Sequence, residues 1–243
     1  MNVALLTAGG SGTRTKQDIP KQFIHVHNKP IVIYTMEAFQ NHPNVDAIIV
    51  VCKKGWDEIL WACAKQYSID KLKWVVNGGG NGQESIKNGL DELRRHCQGD
   101  DVVIVHDGNR PMVSQDIISD SLIKFKVHGS AVTAIPCIEA VFKSIDGIES
   151  DVTIPRDELF RTQTPHVYTL EKLLWAHEQA KLKNITDSIA SCTLMNALGE
   201  KVYFSMGSDK NIKITTREDI EILEALLSHF KNSQLNALNP SYK

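Results

Sequence analysis

The sequence predicts an α/β protein with a mostly parallel central sheet, and two observations carry that prediction. Short β-branched apolar runs recur along the chain, separated by stretches with helical periodicity. The runs are apolar throughout rather than alternating, as strands are when helices cover both faces of a parallel sheet. A third feature concerns chemistry. The first run opens into LLTAGGSGTRTKQDIPKQF, residues 5–23, where glycines stand beside Arg14, Lys16 and Lys21.

The first strand is expected over NVALLTA, residues 2–8. Others follow at DAIIVVC (46–52), KWVVN (73–77), DVVIVHD (101–107) and AVTAIP (131–136), with helices over 30–40, 56–67, 83–96 and 114–127. Pro30 suits the first turn of its helix, and Ile59, Leu60, Cys63 and Tyr67 share one face of the next. His25-x-His27, ahead of them, reads as a solvated turn. The alternation stops after Pro136. There, CIEAVFKSIDGIESDVTIPRDELF reads as two short strands around Asp146-Gly147, either a surface hairpin or an arm for a second subunit. Helices resume near 170–182 and 187–198, followed by the strand KVYFSM and a last helix from Thr216, where Thr216-x-x-Asp219 resembles a capping box. One domain is expected over 1–232, with the arm at 137–160 inside it and a polar tail over 233–243.

Composition narrows the function. The chain has 243 residues, 42% hydrophobic and 23% charged, which suits a folded domain with a sizeable core. A formal charge of −2 argues against nucleic acid as the main partner, while leaving room for a small anion in a local basic pocket. No apolar run approaches the roughly 20 residues of a membrane span. The N-terminus enters a strand with no cationic or long apolar leader, so the expected location is cytoplasmic, without membrane partners. The five cysteines are scattered, with no C-x-x-C pair, and neither a zinc site nor a disulfide framework is expected.

Several glycines after a first strand let backbone N–H groups converge on phosphate oxygens. A Walker A loop needs G-x-x-x-x-G-K-[ST], which is absent. A dinucleotide fingerprint needs a third glycine after Gly10-Ser11-Gly12, where Arg14 and Thr15 stand instead. Its ribose-binding acid is missing too, since the second strand ends at Cys52-Lys53-Lys54. What remains is a long phosphate loop with cations, suited to a triphosphate met by Mg²⁺, Arg and Lys.

A-G-G-x-G-T-R followed by P-K-Q-F resembles the opening of the polyol-phosphate cytidylyltransferases, which act on 2-C-methyl-D-erythritol 4-phosphate or ribitol 5-phosphate. Five further blocks extend the likeness in order: NKPIVIYTMEAF (28–39), GGGNGQESIKNGL (78–90), VHDGNRP (105–111), RDELFRTQTP (156–165) and NIKITTREDI (211–220). The resemblance implies a Rossmann-like three-layer α/β/α sandwich with a protruding β-hairpin dimerisation arm. It implies transfer of CMP from CTP to a polyol phosphate, with Mg²⁺ as cofactor and a homodimer joined through the 137–160 arm. Arg14 and Lys21 would stabilise the transition state, while Arg156 and Lys213 would position the attacking phosphate.

By the same resemblance, CTP would be held by Thr7, Ala8, Gly9, Gly10, Ser11, Gly12, Thr13, Gly79, Gly80, Ser85 and Asp107, with Asp107 also a candidate for Mg²⁺. Arg110, Thr133, Thr164 and Asp187 would serve the polyol phosphate, and Arg156 with Thr133 would come from the neighbouring subunit. Two departures stand out. The arginine of the family's G-G-x-x-R is Gly82, and its H-D-A-A-R-P is H-D-G-N-R-P here, at Gly108-Asn109. The double glycine Gly9-Gly10 and the altered H-D-G-N-R-P lean towards ribitol 5-phosphate or a related surface-polymer polyol, with 2-C-methyl-D-erythritol 4-phosphate the close alternative. A sugar-1-phosphate nucleotidylyltransferase and a catalytically silent CTP-binding module remain as alternatives.

Overall fold

The computed structural model describes residues 1–10 and 19–238, with side chains to residue 229. In chain order its elements are β1 (Asn2–Ala8), β2 (His25–Val26), β3 (Lys29–Pro30), α1 (Ile31–Gln40), β4 (Ala47–Cys52), α2 (Asp57–Gln66), β5 (Leu72–Asn77), α3 (Gly82–Leu93), β6 (Val102–Asp107) and α4 (Gln115–His128). They continue with β7 (Ala131–Pro136), β8 (Val141–Lys143), β9 (Val152–Ile154), β10 (Phe160–Thr169), α5 (Leu170–Leu182), α6 (Ser191–Ala197), β11 (Phe204–Met206) and α7 (Arg217–Leu238).

Seven strands form one sheet in the order β11-β7-β10-β6-β1-β4-β5. All neighbours are parallel except β10, which runs antiparallel to both β6 and β7. The apolar runs explain the layering. Along β1, Ala4, Leu6 and Ala8 enter the cluster on one face with Val32, Met36 and Ile118, while Val3 and Leu5 enter the cluster on the other face with Leu90 and Leu173. β4 divides likewise, Ile48 and Val50 against Ile49 and Val51. Helices therefore cover both faces, as the unbroken hydrophobic strands demand. Burying one such Leu or Ile contributes about 1.5–3 kcal/mol.

Local signals set the helix ends. Ser114 accepts from the Ile117 amide at the start of α4, and Gly129 closes that helix at φ +75°, which favours glycine. Ahead of α7, Asp219 accepts from the Thr215 and Thr216 amides, and its own amide donates to the Thr216 hydroxyl, so the expected capping box forms. Among the described residues no helix is long and apolar enough to cross a membrane.

Four details differ from the sequence reading. β10 was not expected, because Pro165 and a polar first half hide it, and its ladder to β7 shifts register between Thr162 and His166. α6 begins at Ser191 rather than near Asp187. The last strand shortens to Phe204–Met206. α7 continues to Leu238, through the first part of the expected polar tail. The expected turn at His27 is a two-residue hairpin turn between β2 and β3, with His27 and Asn28 at positive φ.

Candidate active site

The sheet order reverses at β1: the chain moves from β1 to β4 and β5 on one side, then returns to β6 on the other. Open α/β sheets bind ligands outside the carboxyl ends of the strands at such a point. A cleft of about 580 Å³ lies there, walled by Thr7, Gly9 and Gly10 after β1, by Gly79 to Gly82 after β5, by Asp107 and Arg110 after β6, and by Lys213. A shallower hollow of about 790 Å³ shares no lining residue with it and sits around Ser130, Trp175 and Tyr203, away from the glycine loops.

The two glycine loops touch backbone to backbone. A Cβ on Gly78 would lie 3.2 Å from the Gly9 Cα, and one on Gly9 would lie 3.3 Å from the Gly78 Cα. Glycine at both positions lets the loops after β1 and β5 close together. The second loop is held from within. Ser85 accepts from the Gly79 amide at 3.0 Å and donates to the Asn81 carbonyl at 2.7 Å, while Glu84 accepts from the Gly80 amide at 2.7 Å. Gly79, Gly80 and Ser85, expected to read the nucleotide, thus first shape the loop that faces it.

The charged centre is Asp107. Arg110 Nε donates to one carboxylate oxygen at 2.9 Å and Lys213 Nζ to the other at 3.0 Å. Burial alone would raise the Asp107 carboxyl, but Lys213 and Arg110 hold it well below the usual carboxylate range. Arg110 also donates to the Asn211 carbonyl at 2.8 Å, and Asn211 donates to the Thr164 carbonyl at 2.9 Å. The network continues behind the carboxylate. The Asp107 amide donates to the Thr164 hydroxyl, which bonds His106 Nδ1 at 2.9 Å, while His106 Nε2 faces the Arg110 carbonyl at 3.2 Å. A carbonyl can only accept, so Nε2 carries the proton and Nδ1 accepts from Thr164. Burial pushes His106 down to about 3, keeping it neutral.

Asn109 explains one departure from the family pattern. It is 3% exposed, its side-chain amide donates to the Ile214 carbonyl, and the Ile214 amide donates back to the Asn109 carbonyl at 2.9 Å. Asn109 therefore fastens the segment carrying Lys213, between β11 and α7, against the end of β6. At Gly82, the other departure, a Cβ would meet nothing within 4 Å, so the cleft wall is open where the family carries an arginine.

Apart from Thr133, the expected site residues separate into four groups. Thr7, Gly9, Gly10, Lys21, Gly79, Gly80, Ser85, Asp107, Arg110, Thr164 and Lys213 all line the cleft. Ala8 is buried beneath it as part of the core. Ser11, Gly12, Thr13 and Arg14 lie outside the described residues. Arg156 and Asp187 are exposed and do not line the cleft of their own chain.

Thr133 requires a correction. It is fully buried in β7, where its hydroxyl donates to the Pro165 carbonyl at 2.8 Å and meets Ser121 and Ser205. It braces β7 against β10 and reaches no ligand surface. Sequence reasoning missed several cleft residues: Gln22, Lys53, Asn81, Thr162, Gln163, His166 and Ser191. Gln22, Asn81, Thr162 and Gln163 lay inside quoted motifs, whereas His166 and Ser191 carried no signal of their own.

Asp107 keeps 16% of its side chain exposed toward the cleft. Among the described residues no group of three or more His, Cys, Asp and Glu could hold a metal unaided. The residues suit a Mg²⁺ that arrives with phosphates and takes one carboxylate oxygen, since Mg²⁺ keeps much of its water and needs no protein cage.

A glycine-walled cleft with a bridged carboxylate and cations at a sheet switch point defines a nucleotide-handling transferase. The chain matches the 2-C-methyl-D-erythritol 4-phosphate cytidylyltransferase (IspD) family over residues 2–229, and it belongs to that family of nucleotidyltransferases. It is 42% identical to a ribitol-5-phosphate cytidylyltransferase of Lacticaseibacillus paracasei, covering 93% of this chain and 98% of the relative. It is 35% identical to a 2-C-methyl-D-erythritol 4-phosphate cytidylyltransferase of Clostridium novyi, covering 95% and 98%. Its fold superposes on the 2-C-methyl-D-erythritol 4-phosphate cytidylyltransferase of Francisella tularensis with a TM-score of 0.75, 30% identity and coverage of 91% and 97%.

Proposed function

We propose that the protein transfers CMP from CTP to D-ribitol 5-phosphate, forming CDP-ribitol and pyrophosphate. The observation that carries the reading is the Asp107 carboxylate bridged by Arg110 and Lys213, facing the paired glycine loops across one cleft. Higher identity to the ribitol-5-phosphate relative than to the methylerythritol one, 42% against 35%, supports the acceptor.

An oxygen of the acceptor phosphate attacks the α-phosphorus of CTP. The new P–O bond forms as the bond to the bridging oxygen breaks, and pyrophosphate leaves with that electron pair. A phosphate monoester has its second pKa near 6, so its nucleophilic oxygen is already deprotonated at neutral pH and no general base is needed. The protein's task is to bring two anions together and meet the charge that builds. Arg14 and Lys21 take the triphosphate side. Lys213, held toward the cleft by Asp107, and Arg110 take the acceptor phosphate. Asp107 would give one carboxylate oxygen to a Mg²⁺ arriving with CTP, and that ion would supply positive charge against the triphosphate.

The acceptor side is completed by Arg156 from a second copy in a homodimer working in the cytoplasm. The arm supports this, since Ile138, Phe142, Ile145, Ile148 and Val152 are all exposed on it. The test is pyrophosphate release from CTP and Mg²⁺ against ribitol 5-phosphate, 2-C-methyl-D-erythritol 4-phosphate, other pentitol phosphates and glucose 1-phosphate. Release with ribitol 5-phosphate and CTP, and not with UTP or ATP, is expected. Preference for the methylerythritol substrate or for glucose 1-phosphate would overturn the acceptor assignment.

A further inference from the structure

The cleft wall holds polar groups whose hydrogen bonds are incomplete. His166 is 2% exposed and Ser191 4% exposed, and both line the cleft. Among the described residues, neither ring nitrogen of His166, nor the hydroxyl of Ser191, has a hydrogen-bond partner. More than nine in ten buried polar groups in folded proteins are paired, so His166 and Ser191, with the unpaired Oε1 of Gln22 on the same cleft, call for a partner from outside. They share one cleft, where His166 lies on β10 and Ser191 opens α6, and Thr162 of β10 lines it with them.

The surroundings say what that partner is. Asp107, Arg110 and Lys213 line the same cleft as His166, and their charges act on its ring. Burial pushes the imidazole down to about 4, so it is neutral at pH 7. A neutral imidazole offers one donor and one acceptor, and a serine hydroxyl likewise gives and takes. A phosphate oxygen only accepts and is better served by Arg110 and Lys213 nearby. An alcohol donates and accepts, and so matches both groups. We propose that His166 and Ser191 bind hydroxyl groups along the carbon chain of the acceptor and set its specificity. The inference rests on the polyol-phosphate reading and adds the residues that read the polyol.

A site built to hydrogen-bond a hydroxyl rejects an analogue that lacks it, because its own polar groups are then left unpaired. The test compares His166→Phe, His166→Asn and Ser191→Ala with the wild-type protein. It measures KM and kcat for ribitol 5-phosphate and for pentitol phosphates lacking single hydroxyls, with CTP affinity measured separately by calorimetry. His166→Phe is expected to raise the acceptor KM by about tenfold or more and to flatten the preference for the complete polyol, with CTP affinity unchanged. His166→Asn, which keeps a donor and an acceptor, should recover part of the preference, and Ser191→Ala should give a smaller, several-fold rise.

Acceptor KM and preference unchanged in both His166→Phe and Ser191→Ala would overturn the proposal. Should His166→Phe fail to fold, Ser191→Ala decides alone, and an unchanged KM would overturn it. A wild-type protein that binds CTP yet releases no pyrophosphate with any polyol phosphate would overturn the functional reading itself, a result distinguishable before any variant is made.

Discussion

The cleft and the arm are built on opposite principles. At the cleft, Asp107, Arg110, Lys213, Asn211, Thr164 and His106 form one closed network, each held by another within 3.2 Å. The arm makes its own two-stranded sheet, β8 with β9, apart from the main sheet. Its Ile145 and Ile148 are 101% and 87% exposed, and Arg156 at its base keeps 64% of its side chain in solvent. A closed polar network fixes charge in place. Exposed apolar side chains on a projecting hairpin are what a partner surface buries. The contrast teaches that the cleft is built within one chain, whereas the arm keeps its apolar side chains exposed, as the proposed dimer requires.

The largest effect should come from breaking the network. Lys213→Ala is expected to cut kcat by about 10²–10³, the range for removing one preorganised donor at a transition state, with CTP affinity near normal by calorimetry. Unchanged turnover would remove Lys213 from the mechanism. Next comes the arm. Replacing Ile145 and Ile148 together with Asp should drive the protein toward monomer in sedimentation and lower activity by about tenfold at dilute concentration, with recovery as concentration rises. Activity that ignores concentration would free the arm from catalysis.

A smaller effect is expected from Gly79→Ala. Its Cβ would fall 2.4 Å from the Glu84 Cβ, so the loop must shift, raising KM for CTP by roughly tenfold and leaving acceptor KM unchanged.

The smallest concerns stability, far from both regions. His177 is 5% exposed on α5, and burial pushes it down to about 4. Unfolded, it titrates near 6.5. Between those values the unfolded state binds more protons, so stability is full above about pH 6.5 and falls as pH drops toward 4, by up to about 1.4 kcal/mol per unit. Urea unfolding at pH 7.5 and pH 5 should show His177→Gln losing about 2 kcal/mol less than the wild type across that span.

The centre of the parallel sheet was legible because its strands are apolar on both faces, as Val3 to Leu6 and Ala47 to Cys52 show. β10 was not, since it carries Pro165 and exposes Phe160 to Thr162 before turning inward. The cleft was legible where residues fall in compact motifs, as with Asp107-x-x-Arg110 and Gly78 to Ser85. Thr133 misled because it was carried over from the family resemblance as a substrate contact, whereas its hydroxyl is buried and donates to the Pro165 carbonyl. His166 and Ser191 stayed hidden because their meaning lies in unpaired atoms on a shared cleft, which spacing cannot show.

The most direct test mixes two inactive proteins. Arg156→Ala and Lys213→Ala are each expected to be nearly inactive alone. If the arm delivers Arg156 to its partner's cleft, a mixed dimer contains one site with both residues intact. Random pairing makes half the dimers mixed, so unfolding and refolding the two together should restore about a quarter of wild-type activity. No recovery, with mixed dimers demonstrated by differently tagged chains, would contradict an arm that acts across the interface.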